Sequence, residues 1–215
     1  MGRIIREFCA ENFTDIPRVV AAGVDRVELC DNLAVGGTTP SFGVIKASVQ
    51  ESERKARETG GDQTVISVMI RPRGGDFAYT DAELEIMADD IAMAKSAGAH
   101  ALVFGVLNPD GTLNVDAMRT LIAKAGATPV ICHMAFDATP DPSATLEQLI
   151  DLGVGLILTH GAKSGQPLGA ERIKNLIDQA NGRIDLMIGG GITAENYEAN
   201  AQAAGATHAH GTKIL

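Results

Sequence analysis

Apolar residues along this chain fall into short runs separated by amphipathic stretches, in a regular alternation. Thr64-Val65-Ile66-Ser67-Val68-Met69 is typical of the runs: brief, β-branched and continuous, as in a buried strand. In order, the pattern predicts strands over Arg3–Cys9, Arg26–Cys30, Gln63–Ile70, Ala101–Val106, Pro129–Met134, Leu156–Thr159, Ile184–Ile188 and Thr207–His210. Helices are predicted over Thr14–Ala22, Ser41–Glu58, Asp81–Ala97 with Thr80 as N-cap, Val115–Ala125, Pro142–Leu152, Gly169–Ala180 and Ala194–Ala204. Gly23, Gly98, Gly153 and Gly205 each end a helix where a left-handed C-cap belongs, and they precede every second strand. A repeated βαβα unit follows.

Strands and helices alternating in this number predict an α/β fold, a single-domain TIM-type barrel of eight parallel strands over residues 1–215. An open dinucleotide-binding sheet would need G-x-G-x-x-G after the first strand, and Cys9-Ala10-Glu11-Asn12-Phe13 is not that turn. The chain stops at Leu215, a few residues after the eighth strand, so the eighth helix is expected to be missing. The flank beside the first and last strands would then expose apolar surface for a second subunit, which points to a homo-oligomer.

Composition narrows the function. The 215 residues are 21% charged and 4% aromatic, as in a globular protein with an aliphatic core, and the net charge of −9 argues against nucleic acid as a partner. No apolar run approaches the ~20 residues of a membrane helix, and Met1-Gly2-Arg3-Ile4-Ile5-Arg6 lacks a signal-peptide core. No membrane partner is expected, and a cytoplasmic location is. Three cysteines in a reducing compartment leave metal binding, catalysis or plain burial as their roles.

In a barrel of this kind the chemistry gathers at the C-terminal ends of the strands. The first strand ends Glu7-Phe8-Cys9 and the second Glu28-Leu29-Cys30, the same Glu-x-Cys pattern twice. Alternation puts Glu7, Cys9, Glu28 and Cys30 in the bore and Phe8, Val27 and Leu29 against the helices. Neighbouring strands lie about 4.8 Å apart. In matched register the two sulfurs would meet across one ion, and a pair of thiolates suits a soft ion such as Cu(I) better than a four-ligand zinc. The same cysteines also fit ordinary core positions.

The third strand runs into Ile70-Arg71-Pro72-Arg73-Gly74-Gly75-Asp76-Phe77. Arg71 and Arg73, on alternate positions, are expected to share one face. They fit either a clamp on Asp76 and nearby glutamates or the wall of an anion pocket. At the fifth strand's end, His133 and Asp137 are expected to point inward, with Cys132 and Met134 toward the helices. His133 is a candidate general acid or base, or a satisfied core histidine. Gly189-Gly190-Gly191, with Thr193 as helix cap, and Lys213 after the last strand occupy the usual phosphate-binding place of such barrels, or else are turn residues.

Taken together, Glu7-Phe8-Cys9, Asp25-to-Cys30, Gly36-Gly37-Thr38-Thr39-Pro40-Ser41, Ile70-to-Phe77, His133-to-Asp137 and Gly189-Gly190-Gly191-Ile192 resemble the CutC family of copper-homeostasis proteins over nearly the whole chain. The resemblance implies a cytosolic, often dimeric TIM-barrel-like protein that binds Cu(I) through two cysteines, here Cys9 and Cys30. Glu28, Arg71, Arg73, Asp76, His133 and Asp137 match the family's polar pocket, and Cys132 stands outside the pattern. Two functions are thereby in view. One is copper homeostasis, with Glu7 and Glu28 tuning the site. The other is an enzyme acting on a small anionic or phosphorylated metabolite. It would use Glu28, His133 and Asp137 for proton transfer, and Arg71, Arg73, Asp76, Gly189, Gly190, Gly191 and Lys213 for the anion.

Overall fold

In a computed structural model, which describes residues 2–162 and 166–215, eight parallel strands close into a barrel in sequence order. They are β1 (Ile5–Glu11), β2 (Arg26–Cys30), β3 (Val65–Met69), β4 (Ala101–Val103), β5 (Val130–Cys132), β6 (Leu156–Thr159), β7 (Asp185–Ile188) and β8 (His208–Gly211), with β8 hydrogen-bonded back to β1. Among the described residues seven α-helices separate them: α1 (Ile16–Ala21), α2 (Phe42–Thr59), α3 (Asp81–Ser96), α4 (Val115–Ala125), α5 (Pro142–Asp151), α6 (Ala170–Ala180) and α7 (Tyr197–Ala204). None of these helices is long and apolar enough to cross a membrane.

Local chemistry accounts for many of the boundaries. Thr80 caps α3 in a full capping box with Glu83, as the sequence predicts. Gly23, Gly98, Gly153 and Gly205 all have positive φ, so the repeat in the sequence is a repeat of helix endings.

Several predicted elements are shorter in the structure. β4 stops at Val103, and β5 stops at Cys132 because Met134–Ala138 winds into a 3₁₀ turn. Met134 is accordingly exposed rather than packed toward the helices. α7 starts at Tyr197 rather than Ala194. There the backbone is held first by β8: Ala194 N–H donates to Lys213 O, and Thr193 pairs with Lys213 as a parallel bridge. Asn196, not Thr193, stands at the N-cap, and its side chain accepts from Thr193 N–H.

Side-chain alternation divides the interior into two layers. Phe8, Val27, Leu29, Val68, Leu102, Cys132 and Ile157 face the helices and pack with residues such as Ile16, Ile45, Met87 and Met118. Cys9, Cys30, Met69, Ala101, Val103, Ile131, Leu156, Leu158 and Met187 fill the bore. Among the described residues the large apolar side chains left exposed are Val35, Phe42, Ile86 and Met134. None lies on β1, β7, β8 or α7; around these elements Ile4, Tyr197 and Leu215 are partly exposed.

Candidate functional site

The barrel closes with a stagger that decides which side chains meet. β1 and β2 pair Glu7 with Arg26, Cys9 with Glu28 and Glu11 with Cys30. The two Glu-x-Cys tracks are therefore offset by two residues, and the matched register is not formed. A carboxylate stands beside each sulfur instead. Glu28 Oε2 is 3.4 Å from Cys9 Sγ and 3.6 Å from Cys30 Sγ, so both sulfurs converge on one oxygen. β8 brings His210 in from the other side: its Nδ1 is 3.0 Å from Glu7 Oε1 and its Nε2 3.7 Å from Glu28 Oε2. Arg26 Nε donates to Glu7 Oε2 at 2.9 Å, and Arg26 Nη2 donates to Ser67 Oγ at 2.9 Å. Cys9, Glu28 and His210 offer ligand atoms that all lie within 4.8 Å of one another, and all three are buried.

Burial on this scale forces protons to be shared. Burial pushes Glu28 well above the usual carboxylate range, reinforced by the Cys9 and Glu7 charges beside it. Burial acts on Glu7 in the same sense, but the His210 hydrogen bond and the Arg26 charge outweigh it and hold Glu7 low. A hydrogen bond from Cys30 draws Cys9 well below the ordinary thiol value, helped by His210 and Glu28. The same bond, with burial, drives Cys30 well above it. Burial works against a charge on His210, yet Glu28, Cys9 and Glu7 together raise it well above a free imidazole. Neighbours are thus pushed in opposite senses: Glu7, Cys9 and His210 toward their charged forms, Glu28 and Cys30 toward their protonated ones.

Above the sulfurs, the ends of β3 and β5 supply a second group. Arg71 is 3% exposed; its Nη1 donates to Val35 O and Gly37 O, and its Nη2 to Gly75 O. Its guanidinium lies 5.0 Å from the Phe77 ring centroid, and the His133 ring lies 4.8 Å from the same centroid. His133 Nδ1 accepts from Ala135 N–H at 3.2 Å, which leaves the proton of the neutral ring on Nε2. Burial, aided by the Arg71 charge, holds His133 down to about 3, so the ring is neutral. Four buried polar atoms have no hydrogen-bond partner among the described residues: Glu28 Oε1, Arg71 Nε, Tyr79 OH and His133 Nε2.

The remaining candidates stand apart from these two groups. Arg73 does not share Arg71's face. β3 ends at Met69 and the chain leaves the extended conformation at Pro72, so strand alternation no longer applies. Arg73 turns outward to Glu83 and Asp76 and stacks on Tyr79, the clamp role foreseen for it. Asp137 accepts from Thr159 Oγ, His160 N–H and Gly161 N–H and so anchors the end of β6. Gly189 O lies 2.9 Å from His160 Nδ1, and a Cβ on Gly190 would fall 2.7 Å from that nitrogen. These glycines make room for an imidazole. Lys213 is exposed, and its carbonyl holds Ala194.

His210, Arg26 and Ser67 are the members of the buried cluster that the sequence did not single out. The signal for His210 was its parity in His208-Ala209-His210. Its partner Glu7 lies 203 residues earlier and meets it only through barrel closure.

Comparison with known proteins places this geometry. A family model described as the CutC family matches residues 4–215. A family protein CutC of Streptococcus pyogenes is 47% identical, over 99% of this chain and 100% of its own length. The human copper homeostasis protein cutC homolog is 43% identical, over 96% of this chain and 72% of its own. The crystal structure of CutC from Streptococcus agalactiae superposes with a TM-score of 0.93 at 46% identity, covering 99% of this chain and 100% of that one. A rubisco-like protein of Burkholderia fungorum shares the fold alone, with a TM-score of 0.67 at 16% identity over 98% of this chain and 55% of its own.

Proposed function

The chain belongs to the CutC family, and we propose that it serves copper homeostasis by holding Cu(I) in its bore through Cys9 and Cys30, with His210 beside them. The observation that carries this reading is the convergence of both sulfurs on Glu28 Oε2 in a site closed to bulk water. Soft sulfur donors are the ligands by which a site selects Cu(I) over harder cations. The human relative's name supports the same role.

The directions of these shifts suit a monovalent ion. Cys9 is drawn toward the thiolate, which readies one donor, and binding to both sulfurs would release the Cys30 proton. One positive charge would enter and one leave, so the net charge of the cluster would not change. Glu7 fixes the His210 ring from behind through Nδ1, leaving Nε2 directed at Glu28. Neutral Glu28 avoids adding a further negative charge beside the sulfurs.

The test is a Cu(I) titration against a competing chromogenic chelator. Cys9→Ser and Cys30→Ser are each expected to abolish tight binding, and Glu7→Gln to weaken it by about 10–100-fold. Cys132→Ser is expected to change nothing, because burial drives that thiol up to about 12 on the helix-facing side of the barrel. Binding indifferent to both Cys9→Ser and Cys30→Ser would overturn the proposal.

A further inference from the structure

Every arginine in or near the bore except one has a carboxylate. Arg26 has Glu7, and Arg73 has Glu83 and Asp76. Arg71 is the most buried of the three, and among the described residues no carboxylate forms an ion pair with it. An isolated guanidinium out of water costs several kcal/mol, so buried charges are paired. Backbone carbonyls satisfy both Nη atoms but carry no compensating charge. The edge at Nε stays open.

Tyr79 OH, another of the four orphaned atoms, lies beside Arg71, and the remaining two lie on β2 and just after β5. Ser67 and Met69 contact the bore, and Arg71 continues their side of β3; Ile131 lines the bore, and His133 continues its side of β5. Between them the segment after β4 contributes Gly105, whose missing side chain leaves room for the imidazole: a Cβ there would lie 3.1 Å from His133 Nδ1. Arg71 Nε and His133 Nε2 are thus two N–H donors without acceptors, flanking one aromatic ring at the mouth of the barrel. Glu28 Oε1, on the neighbouring β2, is the third orphan. Phe77, which contacts both Arg71 and His133, also lines a cleft of about 690 Å³ with Asp137, Thr159, Gly161 and Arg172.

We infer that this mouth is a binding site for a small carboxylate, whose oxygens accept from Arg71 Nε–H and His133 Nε2–H and whose charge completes the Arg71 ion pair. One uncompensated cation matches one monoanion. A phosphate dianion would bring a second buried charge with no cation to meet it. A hydroxyl on the ligand would engage Glu28 Oε1. The ligand enters from the cleft past the Phe77 ring. The site shares Glu28 with the sulfur cluster but needs no copper, so the two proposals are read in separate titrations.

Isothermal titration of the full, copper-free chain with sodium glycolate and with inorganic phosphate, at about pH 8 where phosphate is mostly the dianion, tests the inference alongside the imidazole nitrogen resonances. Glycolate is expected to bind one site and shift the His133 Nε2 signal, and phosphate not to displace it. His133→Asn keeps an oxygen to accept from Ala135 N–H while removing the Nε2 donor, and should weaken glycolate about tenfold or more. Failure of glycolate to bind overturns the inference. So does binding unchanged in His133→Asn, or phosphate binding in preference to glycolate.

Discussion

The two halves of the bore are built on opposite terms. From β4 to β7 the inward residues are Ala101, Val103, Ile131, Leu156, Leu158 and Met187, an apolar wall that packs without polar obligations. From β8 through β1 and β2 to β3 they include His210, Glu7, Cys9, Arg26, Glu28, Cys30 and Ser67, tied by hydrogen bonds and ion pairs. Both halves are equally removed from water. The first gains from that removal, at roughly 25 cal/mol per Å² of apolar surface. The second must spend its internal pairing offsetting desolvation. A barrel that needed only a filled centre would carry the apolar wall all the way round, so the polar half marks where the chemistry lies.

Breaking the pairing should therefore cost the most. Glu7→Ala leaves Arg26 and protonated His210 without their shared carboxylate, and is expected to lower unfolding free energy by roughly 3–5 kcal/mol in urea denaturation near neutral pH. A loss under about 1 kcal/mol would mean that water reaches the cluster and that the two halves differ less than described.

Next in size is a pH effect at the rim where the halves meet. His133 folds with a pKa of about 3 against an ordinary 6.5, so the folded state binds fewer protons than the unfolded chain between those values. Its contribution is complete above pH 6.5, declines as pH falls, and is fully lost near 3. At ~1.4 kcal/mol per unit, wild type should lose roughly 3 kcal/mol more than His133→Asn between pH 6.5 and about 4. Parallel curves for the two proteins would show the imidazole to be solvated.

The smallest effect sharpens the contrast from the apolar side. Ile131→Val is expected to cost about 1 kcal/mol, with no pH dependence and no change in Cu(I) binding. A change in copper affinity would show that the apolar wall positions the sulfurs.

What the sequence made legible is what one strand carries by itself. Alternation placed Glu7, Cys9, Glu28 and Cys30 inward and Cys132 outward, and the structure agrees. Relations between strands were not legible. The two-residue stagger that sets Cys9 beside Glu28, and the closure that brings His210 to Glu7, are properties of the whole barrel. Alternation also misled where it was carried past a strand end, which is why Arg71 and Arg73 seemed equivalent. Gly74 marks the departure: a Cβ there would fall 2.6 Å from Val35 Cβ, so the turn is pressed against the preceding loop.

Arg71 has a mechanical consequence as well as an electrostatic one. Its backbone pairs with Thr39, and its side chain holds Val35 and Gly37 on one loop and Gly75 on the other. The loops after β2 and β3 are therefore fastened through a single residue. Lifting either one breaks bonds in both, so they form one cooperative opening unit whose amides share a common exchange free energy. The rim over β2 and β3 opens as a whole or stays shut.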